Sequence, residues 1–166
     1  MNNKIERDII KNSEYIIHYF SKERKKEVTN LMLEKLLYFL EAIYMALTKE
    51  NYLYEEDFYA WDFGPVNKRV YDTYKEFGRM PIKLEKNIHI NEENQRYIEV
   101  LYALFKDYST FDLVNLSHSK DSPWYKINKE YNGNISDKKI IIEKDATKIW
   151  FSGIIQSSVK EQEQNR

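Results

Sequence analysis

The side chains best suited to acid–base or metal chemistry in this chain are three histidines, His18, His89 and His118. Imidazole changes charge near neutral pH and ligates transition metals, so a His pair, or a His set beside carboxylates, would point to a hydrolase or a zinc site. The three stand in separate segments, with no i, i+4 pair and no second ligand at zinc spacing. His18 falls at the end of a predicted helix, where a cation suits the terminal carbonyls. His89 sits on the polar side of an alternating segment. His118 precedes Asp121 and Ser122, placed either to cap a helix end and bond the turn at Trp124, or to act as a base. Carboxylates cluster at Glu55-Glu56-Asp57, Glu92-Glu93, Asp107 and Asp112. Glu92 and Glu93 suit the first turn of a helix, whereas Glu55 to Asp57 read as a solvated loop or as an acidic rim facing a basic partner. Cysteine is absent, which removes disulfides, thiolate metal sites and a cysteine nucleophile. The four glycines form no phosphate loop, and no Gly-x-Ser-x-Gly elbow occurs. The expectation is a protein that is not an enzyme and uses no metal or cofactor.

The elements that would position these residues are mainly helical. Ile5, Ile9, Ile16, Tyr19 and Phe20 share one face of a first helix, predicted over Ile5 to Tyr19. The basic run Lys22, Arg24, Lys25, Lys26 follows it. Thr29 or Asn30 caps a second helix reaching Thr48 or Lys49, in which Leu33, Leu36, Leu37, Leu40, Ile43, Tyr44 and Leu47 keep the three–four–seven rhythm. Leu31, Tyr38 and Met45 lie off that face, so this helix is expected to be contacted from several sides. A strand near Phe58 to Asp62 leads to Gly64, a residue free to turn sharply. Pro65 suits the first position of a helix, predicted over Pro65 to Phe77 with Gly78 as its C-cap. Ile82, Leu84, Ile88 and Ile90 alternate with polar residues as in a second strand that would pair with the first. Asn91 caps a helix to about Lys106, Ser109 or Thr110 caps Phe111 to His118, and Asp121 or Ser122 caps a helix from Pro123 to Tyr131. Asn132-Gly133-Asn134 breaks the chain, and a last helix is predicted over Glu143 to Ile155. Residues 1–156 read as one compact helical bundle with a two- or three-stranded β element, and 157–166 as a polar, frayed tail.

Composition narrows the partners. With 26 basic and 27 acidic residues the net charge is −1, which lacks the positive footprint of a duplex-binding protein. Aromatic residues make up 15% of the chain, 14 of them Tyr, enough to fill a core and leave rings for an interface. The opening Met1-Asn-Asn-Lys-Ile-Glu-Arg-Asp is polar and without an apolar stretch, and the greasiest run, Leu36 to Leu47, is too short to span a bilayer. A cytoplasmic location without membrane contact is expected.

Three sequence blocks stand out together. They are Lys35-Leu36-Leu37-Tyr38-Phe39, then Ala60-Trp61-Asp62-Phe63-Gly64-Pro65-Val66 with Tyr71, then Leu116-Ser117-His118 followed by Pro123-Trp124. In this order the chain resembles the Panacea domain, the family of SocA-like antitoxins and phage-associated GepA-like proteins. The resemblance covers roughly Ile9 to Ile155, with Ser117 standing where the family usually has Thr. It implies a neutralising protein that binds a cognate toxin and covers it, or hands it to a host protease. Such a partner needs a patch of ~800 Å² with aromatic or Arg anchors. Asp57, Asp62, Phe63, Pro65, Val66, Arg69, His118 and Trp124 are the expected partner-contacting residues. Trp61, Gly64, Tyr71, Leu36 and Leu37 are expected to hold the motif in shape, Trp61 as core. The competing readings are a phage or prophage DNA-binding regulator, favoured by local basics at Lys22 to Lys26, Lys68-Arg69 and Lys138-Lys139, and a phage protein that binds a host defence factor.

Overall fold

One helix organises the molecule because its sequence is apolar nearly all round. The computed structural model describes residues 4–166, so the first three residues of the charged opening segment lie outside the described residues. Helix α1 spans Ile9–His18 and continues as a π-helical turn, Tyr19–Glu23. It starts later than the apolar spacing predicts, since the Asp8 carboxylate caps the backbone N–H groups of Ile10 and Lys11. Helix α2, Asn30–Thr48, is capped by Thr29 as expected and ends on Lys49 in the left-handed conformation. Tyr38 and Met45 are buried along with the main face from Leu33 to Tyr44, so α2 is surrounded over most of its length, the placement that an all-round apolar helix requires. Of the expected core positions only Leu47, in the last turn, is exposed. The Tyr38 hydroxyl meets the Thr147 hydroxyl at 2.9 Å, tying α2 to the last helix.

Strand β1, Phe58–Trp61, turns through Asp62-Phe63 into β2, Gly64–Val66. The register pairs Tyr59 with Val66, Ala60 with Pro65 and Trp61 with Gly64. Pro65 is therefore an edge-strand residue and not the first residue of a helix. An edge strand tolerates its missing N–H, and the helix start is displaced to Lys68 by a better cap. Asn67 accepts the Val70 N–H on its side chain, and its own N–H donates to Glu34. Helix α3 is Lys68–Tyr74, closed by a 3₁₀ turn, Lys75–Phe77, with Gly78 after it.

The expected second strand at Ile82 to Ile90 is irregular chain instead. Ile82 and Ile90 are buried, and Ile82 N–H donates to the Val28 carbonyl, but no ladder forms there. Strand β1 has no free edge for it: the sheet order is β2-β1-β3, with β3 the two-residue Ile141–Ile142. Helices α4 (Glu92–Phe105), α5 (Thr110–Ser117) and α6 (Pro123–Glu130) begin on Asn91, Ser109 and Ser122, each accepting a backbone N–H on its side chain. Helix α7, Lys144–Gln164, runs well past its predicted end, and its mostly polar residues from 156 onward remain exposed. The architecture is mainly α, with a small three-stranded antiparallel sheet.

Candidate functional site

The sequence blocks that stand far apart in the chain meet at the β1–β2 hairpin. Lys35, fully buried on α2, donates from Nζ to the Pro65 carbonyl at 2.7 Å. Trp124, at the start of α6, donates from Nε1 to the Trp61 carbonyl at 2.7 Å. Gly64 lies between these grips with φ of +103°, and a Cβ there would sit 2.6 Å from Ser117 Oγ and 3.0 Å from Lys35 Cε. Both the backbone angle and the space demand glycine. The imidazole of His118 lies flat on the Trp124 ring, centroids 3.4 Å apart and planes 4° from parallel. Burial, aided by the nearby Lys35 charge, pushes His118 down to about 4, so it is neutral at physiological pH. Its Nε2 is buried without a hydrogen-bond partner. Ser122 Oγ donates to the Ser117 carbonyl and fixes the α5–α6 corner that carries both rings.

Beside the hairpin opens a cavity of about 370 Å³. Trp61, Phe63, Val66 and Tyr71 wall it, and its polar lining comes from Asn30 and Glu34, one turn apart on α2, with Asp62, Lys75 and Ser136. The Trp61 and Tyr71 rings make an edge-to-face corner, centroids 5.1 Å apart at 66°. Glu34 is almost wholly buried, and its Oε2 accepts the Asn67 N–H at 2.9 Å. Its Oε1 and the Asn30 Oδ1 have no partner. Burial pushes the Glu34 carboxyl up and the adjacent Lys35 ammonium down, each opposed by the other's charge.

The predicted contact residues divide. Asp62 and Phe63 form the exposed turn of the hairpin, with Phe63 59% exposed. Arg69 is half-exposed, paired with Glu56 at 2.9 Å and Asp8 at 3.5 Å. Asp57 is half-buried, and its carbonyl accepts from the Asn67 side chain. Val66 is buried but forms cavity wall. Pro65 and Trp124 are not presented to a partner: both are buried, the one under the Lys35 grip and the other against His118. His118 is half-buried in the same stack. Leu36 and Leu37 are core, as expected. Trp61 is only half-buried, because one side of its ring faces the cavity, and Tyr71 is 37% exposed beside it.

Sequence reasoning sees Asn30 only as a possible helix cap, passes over Glu34, and sees Lys35 only as one letter of a motif. The signal lies in the sequence itself: Glu34, Lys35 and Glu41 are charges inside a stretch too apolar to expose them. Among the described residues, no group of three or more His, Asp or Glu side chains is placed to hold a metal ion, and no helix is long and apolar enough to cross a membrane.

The family model described as antitoxin SocA-like, Panacea domain, matches residues 33–125 of the chain. No curated protein and no solved structure was found to match the chain. The matched span runs from α2 into α6 and contains every residue that grips the hairpin.

Proposed function

Given that this chain belongs to the antitoxin SocA-like, Panacea domain family, we propose that it is the antitoxin of a toxin–antitoxin pair, neutralising its cognate toxin in the cytoplasm by direct binding. The observation that supports a binding role is Phe63, a large aromatic side chain 59% exposed at the tip of a hairpin held from behind by Lys35 and Trp124. An exposed ring on a fixed backbone suits an interface anchor, since little conformational freedom is lost on docking. Neutralisation here is stoichiometric covering and involves no bond-making. His118 suits that reading better than a catalytic one: it is neutral, stacked, and its free nitrogen faces the filled space at Gly64.

Two of the basic clusters that would favour a DNA-binding regulator are partly engaged within the fold. Lys26 Nζ donates to the carbonyls of Lys106 and Tyr108, Arg24 lies over the Tyr19 and Tyr102 rings, and Lys68 pairs with Asp72. Such a regulator would bind its own promoter with a steep salt dependence. The experiment for the antitoxin reading is co-expression with each neighbouring reading frame in a growth assay, followed by co-purification. A neighbour that kills alone, is tolerated with this chain and co-purifies with it is the expected result. Rescue without a complex, lost in a host deprived of its ATP-dependent proteases, would replace covering by degradation. No toxic neighbour would overturn the reading.

A further inference from the structure

We infer that the cavity beneath the hairpin is a receptor for an arginine side chain supplied by the partner protein. This rests on the reading that the hairpin face covers a protein partner. Two acceptors on residues of the cavity wall have nothing to accept from: Glu34 Oε1 and Asn30 Oδ1, both on side chains more than nine-tenths buried. Buried polar atoms are nearly always paired, so two orphans on the wall residues of one cavity call for a donor from outside. An apolar occupant would leave both unsatisfied, and an anion would meet the Glu34 carboxyl and the Asp62 carboxylate at the rim.

The walls favour a cation. Trp61 and Tyr71 stand edge to face as two sides of a corner, and Phe63 adds a third ring. Ring faces attract cations, indole most strongly. One cation already borders the cavity, Lys75, but its Nζ is held by Asp72 Oδ1 at 3.3 Å. Guanidinium fits better than ammonium. It is flat enough to lie along the indole, and its fork of five donors can reach two acceptors one helical turn apart. It also carries weaker hydration into a dry site. The raised Glu34 carboxyl agrees with this, since an arriving cation would draw it back to the ionised form.

The test uses the full chain, labelled with ¹⁵N, and N-acetyl-L-arginine N-methylamide as probe. The neutral citrulline counterpart is the control. The expected result is a saturable shift of the Trp61 indole N–H and of the Asn30 to Glu34 amides, leaving the Trp150 indole still. Citrulline should bind at least about tenfold more weakly. Glu34→Gln should weaken arginine binding by a similar factor, and Tyr71→Ala, at a partly exposed position, gives a second reading should the first variant fold poorly. No shift at Trp61 up to the solubility of the probe, or equal binding of citrulline, overturns the inference. That failure would leave a co-purifying toxin untouched. Conversely, arginine bound at Trp61 with no partner protein in the cell would remove the antitoxin reading and keep the site.

Discussion

Helix α2 buries two glutamates two turns apart, and they meet opposite fates. Glu41 is fully provided for: Oε2 accepts the N–H groups of Leu53 and Tyr54 at 3.0 and 2.8 Å, and Oε1 takes Lys144 Nζ at 2.8 Å. Glu34 has one amide on Oε2 and a bare, buried Oε1, on a residue that lines a cavity. Burial pushes both carboxyls up, but at Glu41 a directly bonded lysine and two amides oppose it, while at Glu34 the opposing ammonium of Lys35 is turned to the Pro65 carbonyl. A buried charge that serves the fold is saturated with donors; one left half-saturated at an opening is suited to something that arrives later. The Glu41 end of α2 is thus architecture, and the Glu34 end is where binding is to be sought.

The sharpest way to break this contrast is to strip Glu41 of its cation. Lys144→Met leaves the carboxylate buried with two amides only and should cost about 3–5 kcal/mol in urea unfolding. A cost under about 1 kcal/mol would mean that the carboxyl simply takes up a proton, and the saturated end would lose its special standing. Next in size is the hairpin gripped at the Glu34 end. Gly64→Ala combines a left-handed backbone with a Cβ 2.6 Å from Ser117 Oγ, and should destabilise by about 2–4 kcal/mol. The companion change Ser117→Ala removes that oxygen and should recover part of the loss.

Most helices were legible because their signals are local. Thr29, Asn91, Ser109 and Ser122 each cap the helix that their position in the sequence predicts. The misreadings come from competition between distant groups. Pro65 has the makings of a helix start, yet Asn67 holds the cap because its N–H is fixed by Glu34, 33 residues earlier in the chain. The Ile82 to Ile90 segment has a strand's alternation, but β1's two edges belong to β2 and to a two-residue strand too short to announce itself. The site was half legible for the same reason. Phe63 stands out because turns present their tips. Asn30 and Glu34 are hidden among core leucines, and only the assembled fold reveals which of the buried charges on α2 lacks a partner.

A pH experiment probes the back of the hairpin. His118 is depressed from its ordinary 6.5 to about 4, so in the acid range the unfolded chain takes its proton first. Its contribution to stability is complete above about pH 6.5 and is lost as pH falls towards 4. Carboxylates titrate in the same window, so the informative quantity is a difference. His118→Gln should show a shallower loss of stability between pH 6.5 and 4 than the parent. Identical slopes would mean that the imidazole is already solvated in the fold, and that the stack on Trp124 does not shield it.

The smallest expected effect on stability carries the largest expected effect on function. Phe63 is mostly exposed at the tip of a hairpin whose shape is set by Gly64, Lys35 and Trp124, so Phe63→Ala should change stability by no more than about 0.5 kcal/mol. Truncating an anchor ring at an interface typically costs about 2 kcal/mol or more of binding. Growth rescue and co-purification of the toxin should therefore fall together while the melting curve stays where it was. Lys144→Met should do the reverse, lowering the melting curve while leaving the toxin affinity of the folded fraction unchanged. If instead both variants weakened binding only in proportion to unfolding, the hairpin face would be no closer to the partner than the Glu41 end. The interface would then have to be sought elsewhere, on the exposed apolar side chains of Leu104, Phe111 and Val159 along α4, α5 and α7.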